Sequence, residues 1–162
     1  MQTLSCITTA EDIRLVENSI LAIADERAVD SLSRARMQLV LDEMLTNIRF
    51  HSYPEGPGSI HIIIYPQVGD GDFILHCVIQ DWGPEFNPLV DSPKPELWEN
   101  IEERPIGGLG LHLVHNMRCG LRYERVREGA PSAGRNELTL SFPLRCGPGG
   151  LPEKFTPPGS SS

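Results

Sequence analysis

Apolar positions along this chain follow two rhythms. Ile13, Val16, Ile20 and Ile23 return every three or four residues, which predicts an amphipathic helix over residues 10–25. Thr9 stands where an N-cap belongs, and Asp12 falls in the first turn, where negative charge suits the exposed amides. Ahead of it, residues 2–9 are rich in β-branched side chains and read as a short strand. A second helix is expected over 30–50, with Met37, Leu41, Met44, Leu45 and Ile48 on one apolar side. Residues 59–68 and 73–80 then read as two strands joined by the tight turn Gly69-Asp70-Gly71-Asp72. The second of these is almost continuously apolar from Phe73 to Ile79, as an interior strand should be. Residues 121–127 and 137–144 predict a final antiparallel pair.

Between these elements the rhythm fails. Residues 83–106 are punctuated by proline, with Leu97, Trp98 and Ile101 as one short helical turn, and a loop of this length in a compact domain is usually functional or disordered. Leu109, Leu113, Val114 and Met117 predict a helix over 108–117. Residues 146–162 are dominated by Gly, Pro and Ser and read as a disordered tail, which leaves residues 1–145 as one domain.

Composition narrows the function classes. The 162 residues are 40% hydrophobic and 22% charged, ordinary for a globular protein. A net charge of −8, without a basic patch, argues against binding nucleic acid. No apolar run approaches the roughly 20 residues that cross a bilayer. Residues 1–5 lack the basic start and apolar stretch of a signal peptide, so the cytoplasm is the expected location. Cys6, Cys77, Cys119 and Cys146 are scattered without CxxC pairing, against a zinc site or a disulfide framework; Cys77 reads as a buried structural thiol.

Three motifs carry candidate chemistry. Glu43, Asn47 and His51 repeat every fourth residue and fall on one helix face. A Glu there can act as a general base, and the Asn amide oxygen is a hard ligand that suits Mg²⁺. The plain alternative is a polar face with chance spacing. Asp81-Trp82-Gly83 ends the apolar strand; a buried carboxylate there can accept from an adenine amino group, and Gly83 allows a flat base close to the backbone, or the three residues simply make a turn. Gly107-Gly108-Leu109-Gly110 opens the predicted later helix, where amides and glycines favour phosphate, or serve as a hinge. The Lys-Ser/Thr of a Walker A loop and the Gly-x-Ser-x-Gly nucleophile elbow are both missing.

Read in order, these motifs resemble the bacterial anti-sigma-factor serine/threonine kinase family, within the ATPase superfamily shared with histidine kinases, gyrase and MutL. The resemblance spans about residues 10–145. The family's Glu-x3-Asn-x3-His-x-Tyr motif is matched by Glu43, Asn47, His51 and Tyr53. Its Asp-x-Gly-x-x-Phe-Asn/Asp-Pro motif is matched by Asp81, Gly83, Phe86, Asn87 and Pro88, its glycine motif by Gly108 to Leu111, and its last strand by Asn136 to Leu140. Family members often carry Asp after the glycine-rich helix, where this chain has Cys119-Gly120.

The resemblance implies an α+β two-layer sandwich: a mixed, mainly antiparallel sheet with helices on one face. It implies ATP between helices and sheet, Mg²⁺ on Asn47, Glu43 as the base that activates an acceptor serine, and Asp81 on the adenine amino group with Gly83 giving access. Gly107, Gly108, Leu109, Gly110 and Leu111 would wrap the phosphates. Arg104 is the nearest candidate to reach the terminal phosphate, and His51 and Phe86 complete the cofactor-binding set. The implied partners are an anti-sigma-factor antagonist of the STAS type and a sigma factor, and the resemblance also allows a homodimer. A non-catalytic, nucleotide-dependent protein-binding module with the same fold is the alternative.

Overall fold

The computed structural model describes residues 1–68, 73–91, 119–127 and 134–146. Five strands, β1 (Gln2–Ile7), β2 (Ser59–Val68), β3 (Phe73–Asp81), β4 (Gly120–Arg127) and β5 (Gly134–Leu144), form one sheet in the order β1-β2-β3-β5-β4. Helices α1 (Ala10–Glu26) and α2 (Ser31–Asn47) cover one of its faces, which makes the domain a two-layer α+β sandwich. All four strand pairings among the described residues are antiparallel.

The strands lie down with one face apolar because alternate residues point to opposite sides. Phe73, Leu75, Cys77 and Ile79 of β3 face the helices and are buried, while Ile74, His76 and Gln80 face away and are half-exposed. In register, Leu4, Ile62, Ile79, Leu138 and Tyr123 form one row across all five strands beneath the helices. From above, Ile20, Leu21 and Ala24 of α1 and Met37, Leu41, Met44 and Leu45 of α2 close the core. Burial pushes the Cys77 thiol up to about 12, which suits an inert packing group. All four described cysteines are free.

Local chemistry fixes the helix starts. Thr9 caps α1 as expected: its hydroxyl oxygen accepts from the Asp12 amide at 3.1 Å and its hydroxyl donates to the Asp12 carboxylate at 2.6 Å. Asp30 does the same for α2, accepting from the Leu32 and Ser33 amides, each at 3.0 Å. The Asp25–Arg34 ion pair ties the two helices together on their exposed side.

The structure differs from the sequence reading in several places, among them the start of β5, at Gly134 rather than residue 137. β1 stops at Ile7, because Thr8 turns inward to exchange hydrogen bonds with Gly58: its amide donates to the Gly58 carbonyl at 2.8 Å and its hydroxyl accepts from the Gly58 amide at 2.9 Å. α2 ends as an α-helix at Asn47, and a wider π-helical turn, Ile48–Ser52, continues it. A short helix not expected from sequence, α3 (Pro88–Asp91), opens at a proline, which suits a first helical position because it lacks the N–H that would go unpaired. Cys146 bridges antiparallel to Val29, and the Asp30 amide donates to the Arg145 carbonyl at 2.9 Å, so the described chain stays attached through Cys146. The turn at 69–72, the helical turn at Leu97–Ile101, the 108–117 helix and the tail beyond Cys146 lie outside the described residues.

Candidate nucleotide-binding site

The site grows out of strand register. Asp81, the last residue of β3, pairs with Asn136 of β5, which in turn pairs with Arg125 of β4. The three side chains therefore stand in one row on the helix-bearing face, where the sheet runs out beyond the core. Asp81 and Asn136 are almost fully buried, at 3% and 2% exposure.

Buried polar groups must find partners, and this row satisfies itself. Asn136 Nδ2 donates to Asp81 Oδ1 and to the Pro84 carbonyl, both at 2.8 Å. Asn136 Oδ1 accepts from the Tyr123 hydroxyl at 2.8 Å and from Arg125 Nη1 at 2.9 Å. Arg125 Nη1 also donates to the Gly83 carbonyl at 2.9 Å, and the Gly83 amide donates back to Asp81 Oδ1 at 3.0 Å. The corner Asp81-Trp82-Gly83-Pro84 is thus clamped from β4 and β5. Burial raises the Asp81 carboxyl above its ordinary range; the hydrogen bonds from Asn136 and Gly83, the nearby Ser52 hydroxyl and the Arg125 charge pull the other way.

The π-helical turn supplies the opposite wall. A Cβ on Gly83 would collide with the backbone of Ser52, so a glycine is required where β3's exit meets the end of the turn. The close approach that Gly83 permits is therefore to the protein's own backbone, a packing reason that the sequence did not disclose. Ser52 Oγ is buried beside the Asp81 carboxylate and has no hydrogen-bond partner of complete geometry among the described residues. Tyr53 locks the same corner from outside: its hydroxyl donates to the Ser59 carbonyl at 2.6 Å and accepts from the Trp82 amide at 3.0 Å. Its ring occupies the space where Gly58 would need a Cβ.

Between these walls lies a small recess, lined by Asn47, Ser52, Asp81, Phe86, Pro88, Tyr123 and Asn136 with the apolar floor of Met44, Ile48 and Leu138. The expected residues Asn47, Asp81 and Phe86 meet here. His51 sits on the rim, exposed, with its ring stacked on Phe86 at 4.3 Å and 13° between planes. Glu43, one turn before Asn47 on α2, is half-buried and is not among the described lining residues. Arg104, Gly107, Gly108, Leu109, Gly110 and Leu111 lie outside the described residues. Sequence reasoning missed Ser52, Tyr123 and Arg125; the Asn at the head of the last strand was the one local signal of the clamp.

A buried carboxylate, a buried hydroxyl beside it and an apolar floor fit the edge and faces of a purine base. Among the described residues no group of three His, Cys, Asp or Glu could by itself hold a metal ion. Asn47 and Asn136 both bring an amide oxygen to the recess, and that of Asn136 is taken up by Tyr123 and Arg125.

The sequence matches the histidine kinase-like ATPase domain family over residues 7–142, and this chain belongs to that family. The mycobacterial sensor histidine kinase MprB is a similar solved structure, 14% identical, covering 90% of this chain and 99% of its own, with a TM-score of 0.45. No curated protein matches the sequence. No helix among the described residues is long and apolar enough to cross a membrane.

Proposed function

We propose that the recess binds ATP with Mg²⁺ and that the chain is a protein serine/threonine kinase whose substrate is a small anti-sigma-factor antagonist, with a sigma factor as its second partner. The observation that carries nucleotide binding is the Asp81–Ser52 pair: a buried carboxylate and a buried hydroxyl side by side in a site that Asn47 also lines. Asp81 would accept from the adenine amino group, and Ser52 would complete its hydrogen bonding through the base or a water. Mg²⁺ bound with a nucleotide takes most of its ligands from phosphate and water, so one protein oxygen at Asn47 is sufficient. The bound nucleotide supplies the phosphoryl group; Glu43, on the same helix face as Asn47, would take the proton of the acceptor hydroxyl.

The kinase part rests on the joint presence of Glu43 and Asn47 and on the family resemblance of the motifs. The test is incubation with γ-labelled ATP, Mg²⁺ and a candidate antagonist. Labelled serine or threonine is expected, and nucleotide binding without any labelling across antagonists would refute the kinase reading.

One observation favours a second reading. Glu43 does not line the recess that Asn47 lines, as a module that binds nucleotide only to set its affinity for a partner would allow. Partner affinity measured with ATP, ADP and no nucleotide separates the two: a strong nucleotide dependence without transfer selects the module.

A further inference from the structure

The π-helical turn is a wall with two sides. Ile48 and Ser52 line the nucleotide recess, while Arg49 and Phe50 line a larger groove, closed by Thr9 at the start of α1 and by Tyr53, Pro54 and Pro57. The groove measures about 420 Å³, within the roughly 300–1,000 Å³ usual for ligand sites. Its floor needs no polar partner, because buried Thr8 has its amide and its hydroxyl engaged by Gly58. Its walls are stiff. Proline fixes its own backbone angle, and the Tyr53 hydroxyl is held between the Ser59 carbonyl and the Trp82 amide. The shape is therefore set before anything binds, which lowers the cost of binding.

Phe50 is 58% exposed, and the Arg49 guanidinium lies over its ring, 5.3 Å from the centroid. Arg49 is the one charged side chain among the described lining residues, and it makes no ion pair with another described residue. A guanidinium stacked by its face keeps its N–H edge for a carboxylate, which it grips with two parallel hydrogen bonds. Aromatic and arginine side chains are also the usual anchors of protein interfaces. Acidic neighbours limit the charge the groove accepts: Glu11 and Asp12 follow Thr9, and Glu55 stands between the two prolines. One carboxylate fits opposite Arg49, and a run of them is repelled. The net charge of −8 turns away a phosphate polymer.

Glu43 belongs to this outward side of α2. Leu39, 39% exposed, precedes it by about one turn, and Phe50 follows it by about two. At 1.5 Å per residue, Phe50 and Glu43 are about 10 Å apart along the axis, the reach of about three extended residues.

We propose that this groove docks the protein substrate of the chain through an extended segment. The segment sets one carboxylate on Arg49 and a neighbouring apolar side chain on Phe50, with the phosphoacceptor hydroxyl about three residues away, toward Glu43. The position of Glu43 then has a reason: it serves the docked protein, so it stands off the nucleotide recess. That the occupant is the substrate rests on the kinase reading; the single-acid, apolar chemistry of the groove does not.

Short fluorescein-labelled peptides test it, each with Asp, Asn or Lys at the centre between leucine and proline neighbours. Asp peptides should bind the wild-type chain about tenfold more tightly than Asn peptides, and peptides with a run of Asp should bind more weakly than those with one. Arg49→Glu should reverse the preference from Asp to Lys, which a merely structural role for Arg49 would not produce. Phe50→Ala should weaken every peptide by about tenfold with unchanged circular dichroism. Both variants should bind a fluorescent ATP analogue as wild type does. In transfer from γ-labelled ATP they should raise the KM for the antagonist and leave kcat unchanged. No wild-type binding to any of the peptides, equal binding of Asp and Asn peptides, or an Arg49→Glu chain that still prefers Asp would overturn the proposal. So would an unchanged KM in both variants alongside normal transfer. Asp-peptide affinity that falls as protein concentration rises would give the groove to a second copy of the chain and overturn it as well. Asp-selective binding without any phosphoryl transfer would strike the kinase reading and support the chemistry of the groove.

Discussion

Asn136 donates to Asp81 across two adjacent strands in direct register, 2.8 Å from Nδ2 to Oδ1. The bond holds a carboxylate in place where the sheet emerges from the core, and it links that carboxylate to Arg125 and Tyr123. Asn136→Ala should leave Asp81 with one hydrogen bond fewer and leave the Tyr123 hydroxyl and Arg125 without their shared acceptor. Hydrogen bonds to charged groups contribute about 1.5–3 kcal/mol, so a loss of about that size is expected in urea denaturation. Nucleotide affinity should fall with it, because the Pro84 carbonyl and the carboxylate are no longer held at one spacing.

Asp81→Asn should separate stability from binding. Burial raises the Asp81 carboxyl in the folded chain above its unfolded value of 3.8. Between those two values the folded state holds more protons, so stability falls as pH rises through that window, and the buried charge remains a cost at neutral pH. Asparagine preserves an oxygen that can accept from Asn136 and Gly83 but carries no charge. The variant should therefore gain stability relative to wild type at neutral pH, and the gain should vanish below the unfolded carboxylate range. Thermal melts across the pH range check this sign. Analogue binding should weaken at least tenfold, a change of about 1.4 kcal/mol, since the acceptor for the base becomes an amide already engaged.

Ser52 and Gly83 make an opposed pair of tests. Gly83→Ala puts a methyl into the backbone of Ser52, and overpacking of this kind costs about 1–3 kcal/mol. Ser52→Ala removes a buried hydroxyl that stands beside the Asp81 carboxylate. It should change the stability of the nucleotide-free protein little, while lowering affinity for the analogue. If Ser52→Ala destabilises the free protein and leaves affinity unchanged, Ser52 is a packing residue and the site is smaller than drawn.

How far the sequence disclosed all this depends on the distance over which each feature is decided. The caps at Thr9 and Asp30 are each made within three residues of chain; the first was read as a cap, the second only as the start of a helix. The span of β2 and the buried face of α2 were legible, because a two- or four-residue period reports one face directly. Asn47 and Asp81 were legible as candidates for the same reason, each at a marked position on its own element, and the structure brings both to one recess. The clamp was not. Arg125 reaches Asp81 through Asn136 only because β5 pairs with both β3 and β4 in one register, and no local pattern encodes that. Nor did any local pattern give the extra width of the turn at Ile48–Ser52, which brings Ser52 against Gly83. Turns of this kind are frequent at functional sites, and here the turn forms one wall of the recess.

The role of Glu43 is the sharpest division between kinase and binding module. It lies one turn from Asn47 on α2, half-buried, and outside the described lining of the recess. A residue so placed has no part in holding a base against Asp81. Glu43→Gln keeps its volume and its hydrogen-bonding capacity but cannot accept a proton as a carboxylate does. If Glu43 is the general base, the variant should bind the ATP analogue as wild type does and lose about 10²–10⁴-fold in phosphoryl transfer to the antagonist. Single-turnover transfer from γ-labelled ATP, at saturating nucleotide and antagonist, reads the chemical step without a contribution from binding. Wild-type transfer in Glu43→Gln would remove the residue from catalysis and leave proton removal to solvent or to another group of the chain.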